Sequence, residues 1–254
     1  MKIKILLAFL LVAIFSSCQK ELVEPTSTST TTGGGTGGTG GGGTGGGTIV
    51  NCKDCIYIPT CDSSVYKYSD TSAGLPGVPA TGVANNFTYR FLSDTTIGGL
   101  TYRKIRSEGS TNGNPVTYFN CTAGVTTAIN YAAITAGGAT VSQIKTTGLK
   151  ANAAVGDTWT DQLVQSPTQT TTYTYTMIAK GISRTVSGIN YPDVIQVNSV
   201  TSATNPAGGA DIVFGTGTSY FARGIGPIEN ILVSTFGGTS FQSFHRVLIS
   251  AQIP

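Results

Sequence analysis

The feature that most limits the fold of this chain is an alternation of large and small or polar residues with period two. It is clearest at residues 87–91 (FTYRF), 173–177 (YTYTM) and 245–253 (HRVLISAQI). Residues two apart lie on the same face of a strand, so these runs predict half-buried strands. Glycine pairs at 98–99 and 208–209 separate such runs as turns. We therefore predict an all-β fold, an antiparallel meander that forms a curved sheet or half-barrel.

A low-complexity stretch divides the chain. Residues 26–32 are only Thr and Ser, and residues 33–47 are 12 Gly and 3 Thr. This stretch has no apolar side chain to bury, so it cannot offset the loss of chain entropy on folding. We predict that residues 18–48 form a disordered tether and that residues 49–254 form a single all-β domain.

The N-terminus has the pattern of an export leader. Residues 5–15 are an unbroken apolar run, which is too short to span a bilayer and is typical of a signal peptide covering residues 1–17. The sequence FSSC at 15–18 resembles the lipobox of bacterial lipoproteins, which implies acylation of Cys18 as a lipid anchor in a membrane. The following QKE at 19–21 resembles the surface-export tag of Bacteroidota-type lipoproteins. We expect an outer-membrane lipoprotein that faces the cell exterior.

One ten-residue pattern, T-[IV]-x-G-[LI]-x-Y-x-x-[IV], occurs twice, at residues 96–105 and 185–194. We interpret each copy as a hairpin whose first strand ends at Ile97 or Val186. A Tyr-Phe pair follows each copy further along the chain. The repetition indicates either two related hairpin units or two hairpins that share a composition by chance, and both interpretations predict a meander of antiparallel strands.

Three motifs in order resemble a group of Bacteroidota-type lipoproteins. They are VGDTW at 155–159, VSGINYPDVIQV at 186–197 and YFARGIG at 220–226. The resemblance implies a fold similar to the curved antiparallel half-barrel of lipoprotein-localisation factors, which hold acyl chains against a concave apolar face. It implies no activity, because fold similarity alone does not transfer a function.

Four cysteines follow the tether, at Cys52, Cys55, Cys61 and Cys121. An even number in an exported domain predicts two disulfides, with three pairings open. A zinc site, a redox-active C-x-x-C and free thiols are the alternatives.

The charge excludes nucleic acid as a partner. The chain has 15 Lys and Arg, and removing Lys2 and Lys4 with the leader leaves 13 against 12 Asp and Glu. A nucleic-acid binder needs clustered cations to neutralise phosphates. The chain has one histidine, so we expect no metal site that needs two imidazoles, and we expect no cofactor.

Two sequence patterns could indicate a catalytic site. A Ser–His relay would have to use His245, which lies in strand register with apolar residues and is predicted to be structural. Asp157 and Asp161 flank Trp159, as in a glycosidase with a sugar-stacking ring. Residues four apart on a strand are about 13 Å apart, which is too far for paired catalytic carboxyls. We expect a turn Asp157, a core Trp159 and a solvated Asp161, and no catalysis.

The aromatic content favours a binding role. A concave face of aromatic residues would contact acyl chains or sugar rings, and the candidate residues are Trp159, Tyr173, Tyr175, Tyr220, Phe221 and Arg223. Of these, Arg223 would meet an anionic head group or pair with Glu229. We predict a non-catalytic binding module for an apolar or amphipathic ligand, for which a cavity of several hundred Å³ is expected. The alternative is a structural or accessory subunit that docks a surface protein through strand edges, and the third is a glycan-acting enzyme.

Overall fold

The computed structural model describes residues 55–73, 85–109, 115–130, 134–136, 139–141, 143–236 and 239–254. The predicted signal peptide and tether, with Cys18 and Cys52, lie outside these ranges. The strands are β1 (Val65–Ala73), β2 (Asn85–Ile97), β3 (Leu100–Glu108), β4 (Val116–Thr122), β5 (Val125–Asn130), β6 (Ile134–Ala136), β7 (Ala139–Val141), β8 (Ile144–Lys150), β9 (Thr158–Ser166), β10 (Gln169–Val186), β11 (Ile189–Ala203), β12 (Ile212–Ala222), β13 (Gly226–Phe236) and β14 (Thr239–Gln252). Over the same ranges, no helix has the length and hydropathy to cross a membrane.

Twelve strands form one antiparallel sheet in the order β8-β5-β4-β3-β2-β1-β14-β13-β12-β11-β10-β9, and β6 pairs with β7. The predicted all-β antiparallel meander is confirmed. The order consists of two six-stranded meanders, which we call the N-terminal meander (β1 to β5 with β8) and the C-terminal meander (β9 to β14). They join where β1 pairs with β14.

Both predicted hairpins form at the predicted positions. Ile97 pairs with Leu100 across the β2–β3 turn, and Val186 pairs with Ile189 across the β10–β11 turn. Both central residues of each turn have positive φ, which two-residue hairpins of type I′ require. Each hairpin joins the second and third strands of its meander. The two copies of the ten-residue pattern therefore occupy equivalent positions in the two meanders.

The sheet curls until its edge strands, β8 and β9, meet through side chains. The backbone N–H of Thr147 donates to the Asp161 carboxylate, and Trp159 Nε1 donates to the Thr147 carbonyl at 2.6 Å. The prediction of a solvated Asp161 is therefore wrong, because this carboxylate links one edge of the sheet to the other. A side-chain link takes the place of a continuous backbone ladder here.

The core consists of two clusters. The first core cluster is rich in aromatic residues from β1 and β2 and comprises Tyr66, Tyr68, Phe87, Phe91, Ile105, Val186, Val194, Tyr220, Ala222, Ile228 and Leu248. The second core cluster comprises Ile58, Leu149, Trp159, Met177, Ile195, Val197 and Phe221. Most of the second cluster comes from the C-terminal meander.

Residues 55–64, which we call the bridging segment, precede β1 and are fastened to the N-terminal meander. A disulfide joins Cys55 to Cys121 in β4, with the Cα atoms 6.1 Å apart. Asp62 forms an ion pair with the buried Arg103 of β3 at 2.8 Å. Cys61 is also disulfide-bonded. The prediction of disulfides is thus confirmed for the described cysteines, and the Cys55–Cys121 bond selects among the three pairings.

The same segment is fastened to the C-terminal meander. The Gly224 N–H donates to the carbonyl of Ile56 at 2.6 Å, and the Tyr57 hydroxyl donates to Asp193 at 2.8 Å. Ile58 is buried in the second core cluster. The bridging segment therefore spans from one meander to the other.

Replacing both Cys55 and Cys121 by Ala should lower the free energy of unfolding by about 2–4 kcal/mol, because the bond closes a loop between residues 66 apart in sequence. Urea unfolding under non-reducing conditions measures this change. An unchanged midpoint would show that the bond contributes no net stability.

Gly217 and Gly148, both within strands, provide a matched pair of substitutions. A Cβ at Gly217 would lie 2.5 Å from Ser199 Oγ and 2.8 Å from Leu232 Cδ2, whereas a Cβ at Gly148 meets nothing within 4 Å. Gly217→Ala should lower the free energy of unfolding by about 1 kcal/mol, at the lower end for overpacking, because Ser199 and the exposed Leu232 must turn aside, and Gly148→Ala should change it by less than about 0.5 kcal/mol. Equal effects in urea unfolding would contradict the packing at Gly217.

Candidate functional site

A cavity of about 220 Å³ lies between the bridging segment and the N-terminal meander. We call it the aromatic cavity, and its walls are formed by Ile58, Tyr66, Tyr68, Tyr89, Phe91, Ile105, Thr117, Phe119, Ala128, Asn130 and Pro227. The strand residues come from the same face because their registers match, as in the pairs Tyr66–Tyr89 and Thr117–Asn130. The cavity is smaller than the several hundred Å³ expected from the sequence, so it suits a small ligand rather than a full acyl chain.

The tyrosines of the cavity are held by their hydroxyl groups. Tyr66 donates to the Pro59 carbonyl at 3.1 Å, and Tyr68 donates to the Pro227 carbonyl at 2.9 Å. Both side chains are almost completely buried, and this burial raises the pKa of each phenol well above its usual value. The two hydroxyls are thus neutral and engaged, and the rings present carbon to the cavity.

One charged pair adjoins the cavity. Arg246 of β14 binds both carboxylate oxygens of Asp70 in β1 at 2.9 Å, and its Nη1 donates to the Tyr89 hydroxyl at 2.9 Å. Its guanidinium also lies 4.4 Å from the centre of the Phe87 ring. Burial is the largest influence on the pKa of Arg246 and lowers it, but the hydrogen bond and charge of Asp70, together with Tyr89 and Tyr68, outweigh burial and raise the pKa overall. The pair is charge-balanced and partly buried.

Three of the predicted ligand residues lie together, but in the protein core. Trp159 and Phe221 are buried in the second core cluster with Tyr175 against them, and the Trp159 and Tyr175 rings stack with centroids 5.6 Å apart. Tyr173 is two residues before Tyr175 on β10 and is half-buried; burial raises the pKa of its phenol. None of these four is among the described residues that line the aromatic cavity.

Tyr220 and Arg223 lie apart from that group. Tyr220 precedes Phe221 on β12, so the two rings lie on opposite faces of the sheet, and the guanidinium of Arg184 covers the Tyr220 ring at 4.1 Å. Arg223 is exposed and pairs with Asp193 at 3.3 Å, so the predicted alternative of a pair with Glu229 is wrong. The six predicted residues thus do not form one concave site.

Glu229 has other partners. It is buried, and its Oε1 lies 2.8 Å from Nε2 of His245. Its Oε2 accepts from Nε of Arg184 at 2.7 Å. His245 therefore belongs to an ionic cluster rather than packing only with the apolar residues of its strand.

A second, open groove of about 550 Å³ lies beside the meeting edges of the sheet and includes Lys150, Asp157 and Trp159 in its walls. Trp159 is 6% exposed, so its ring faces are used in the core and do not offer a stacking platform for a sugar. Asp157 accepts from the Ala154 N–H at 2.8 Å, as expected for a turn aspartate. The groove therefore supports a ligand site less well than the aromatic cavity does.

The residues of the aromatic cavity are the ones that sequence reasoning missed. Tyr66 and Tyr68 alternate on β1 as the residues of 87–91 do on β2, and this alternation was the available signal. Nothing in the sequence showed that the two strands are neighbours whose aromatic faces share a wall. Phe119 belongs to the first of the two Tyr-Phe pairs, which did not indicate a cavity, and Asn130 gave no signal.

No protein-family model and no curated protein matches the chain. Among solved structures, a candidate lipoprotein from Parabacteroides distasonis ATCC 8503 has a TM-score of 0.44 and 13% identity, covering 79% of this chain and 100% of its own. A candidate exported protein with a YmcC-like fold from Bacteroides fragilis NCTC 9343 has a TM-score of 0.42 and 10% identity, covering 78% of this chain and 100% of its own. Likeness at these TM-scores carries no inference about function.

The buried phenols make stability depend on alkaline pH. Because the folded state keeps Tyr68 protonated while the unfolded chain loses that proton near the ordinary tyrosine pKa of 10.0, stability should fall as pH rises above about 10. Tyr68→Phe should reduce the slope by about 1.4 kcal/mol per pH unit above that point. Urea unfolding between about pH 9 and 11 measures the slope, and identical slopes would contradict the burial of this phenol.

Proposed function

We propose that this chain is an outer-membrane lipoprotein, anchored through an acylated Cys18 and facing the cell exterior, whose folded part is a non-catalytic module that binds a small apolar or amphipathic ligand. The observation that carries the proposal is the aromatic cavity. Sites for small molecules are concave and mostly apolar, with few polar groups that fix orientation. The cavity has this composition, with aromatic and aliphatic walls and one Thr–Asn pair.

The size of the cavity limits the ligand. At about 30 Å³ for each water in the liquid, its 220 Å³ correspond to the volume of about seven water molecules. A molecule with roughly as many non-hydrogen atoms fills it. A larger amphipathic molecule would place only one end inside.

The proposal of a lipid anchor at Cys18 is based on the leader sequence. The apolar run at 5–15 and the FSSC sequence at 15–18 are typical of an acylated exported protein. Residues 18–48 would then separate the lipid from the folded part, as a glycine-rich coil of this kind does. The bridging segment, which forms one wall of the cavity, follows this part of the sequence closely.

The alternative role, a subunit that docks partners through strand edges, has less support. The edge strands of the twelve-stranded sheet are β8 and β9, and Asp161 and Trp159 link them to each other. For a glycan-acting enzyme, Asp157 and Asp161 were the candidate carboxylates. Each of them accepts a backbone N–H at a structural position, so no observation favours that role.

Filling the cavity should abolish binding of an apolar probe. Ala128 lines the cavity, and Ala128→Leu places three further carbons in it; Ala207→Leu, at an exposed turn, is the matched control. With toluene as the probe, we expect shifts of the tyrosine ring resonances in NMR spectra of the wild type. We expect the affinity to fall at least about tenfold in Ala128→Leu, because a filled site excludes the probe, and to stay unchanged in Ala207→Leu.

Two outcomes would contradict the proposal. In the first, the wild type shows no saturable shift with toluene. In the second, Ala128→Leu and the control bind toluene equally well, which would locate binding outside the aromatic cavity.

A further inference from the structure

The aromatic cavity contains an amide group with unused hydrogen-bonding capacity. Asn130 of β5 faces Thr117 of β4 in the antiparallel register, and the Thr117 hydroxyl donates to Asn130 Oδ1 at 2.7 Å. Both residues line the cavity. Within the described ranges, the Asn130 Nδ2 group has no acceptor for its two N–H bonds. Asn130 is half-buried, and its two N–H bonds are free to donate to an acceptor atom of a ligand in the cavity.

A second donor lies on the same wall. The Tyr89 hydroxyl accepts a hydrogen bond from Arg246 Nη1 at 2.9 Å, so its own proton remains available. No described residue accepts that proton. Asn130 and Tyr89 are therefore two lining residues with N–H or O–H groups that no described residue accepts.

The charges around the cavity are already balanced. Arg246 donates to the Tyr89 hydroxyl, and Asp70 binds the same guanidinium through both carboxylate oxygens. An anionic ligand would enter an apolar space without a cation of its own, and an unpaired charge is strongly disfavoured there. A neutral ligand has no such cost.

We infer that the aromatic cavity selects a small neutral molecule that carries one acceptor oxygen, as in a ketone or ester, and that the Asn130 amide donates to that oxygen. This inference rests on the proposed function, because it names the ligand class of the same cavity. Asn130 is the residue that determines specificity, and the aromatic walls supply the apolar contact.

The sheet provides a matched control for Asn130. In the C-terminal meander, the Thr218 hydroxyl donates to Asn198 Oδ1 at 3.1 Å across the β11–β12 pair. This second Thr–Asn pair is not part of the described cavity wall. Asn198→Leu therefore removes the same side-chain chemistry from a strand of the same sheet without changing the cavity.

The test measures the affinity of the full chain for three probes of similar size: cyclohexanone, toluene and cyclopentanecarboxylate. Asn130→Leu should weaken cyclohexanone binding by about 3–10-fold, the effect of one neutral hydrogen bond. Toluene affinity should change by less than about twofold in the same variant, because toluene has no acceptor oxygen. Asn198→Leu should leave both affinities unchanged, and cyclopentanecarboxylate should bind most weakly to the wild type.

A second measurement needs no variant. In the wild type, cyclohexanone should shift the side-chain amide proton resonance of Asn130 downfield in a ¹⁵N–¹H NMR spectrum, as a hydrogen bond does. Toluene should not cause this downfield shift. This readout keeps the test decisive if Asn130→Leu does not fold.

The outcomes separate the two proposals. Suppose that toluene binds, that Asn130→Leu leaves the affinity for cyclohexanone unchanged, and that cyclohexanone does not shift the Asn130 amide resonance. The inference is then wrong, and the proposed binding function stands. The inference is also wrong if cyclopentanecarboxylate binds most tightly, since that result requires an uncompensated cation. If neither toluene nor cyclohexanone binds the wild type, the proposed function fails together with the inference.

Discussion

The pairing of the first strand with the last one is the constraint on which the rest of the structure depends. β1 pairs with β14 from Val65–Gln252 to Ala73–Ser243 and places the N-terminal and C-terminal meanders in one sheet. The Asp70–Arg246 ion pair connects the same two strands across 176 positions of sequence. Without this pairing, each meander would be a six-stranded sheet with an apolar face in water. β1 also contributes Tyr66 and Tyr68 to the aromatic cavity, beside Tyr89 and Phe91 of its other neighbour, β2.

The bridging segment is a second connection between the two meanders, in addition to the β1–β14 pairing. It is fastened to β3 and β4 through Asp62 and Cys55, and to the C-terminal meander through Ile56 and Tyr57. Ile58 is buried in the second core cluster and also lines the aromatic cavity. A short irregular segment thus forms part of the core of one half and part of the ligand wall of the other.

Local features of the fold could be predicted, and features that depend on curvature could not. Period-two alternation and glycine turns are local, so the hairpins ending at Ile97 and Val186 were predicted to the residue. The alternation separates the two faces of a strand, but it does not predict which of them lies on the concave side of the sheet. For this reason Trp159 and Tyr175 were predicted as ligand residues and lie in the core, whereas Tyr66 and Tyr68 line the cavity. The role of Asp161 depends on the meeting of β8 and β9, which no local pattern encodes.

The Cys55–Cys121 bond has a mechanical consequence. Cys55 is the first described residue of the fold, and with Cys18 anchored as proposed, tension on the chain reaches it. The disulfide transfers that tension directly to β4, which is hydrogen-bonded to strands on both of its sides. This part of the load passes to β4 and not through Ile58, although β4 also contributes Thr117 and Phe119 to the wall of the aromatic cavity. A pull on the chain before Cys55 therefore acts on the cavity through one of its strands, and not through the irregular segment that covers it.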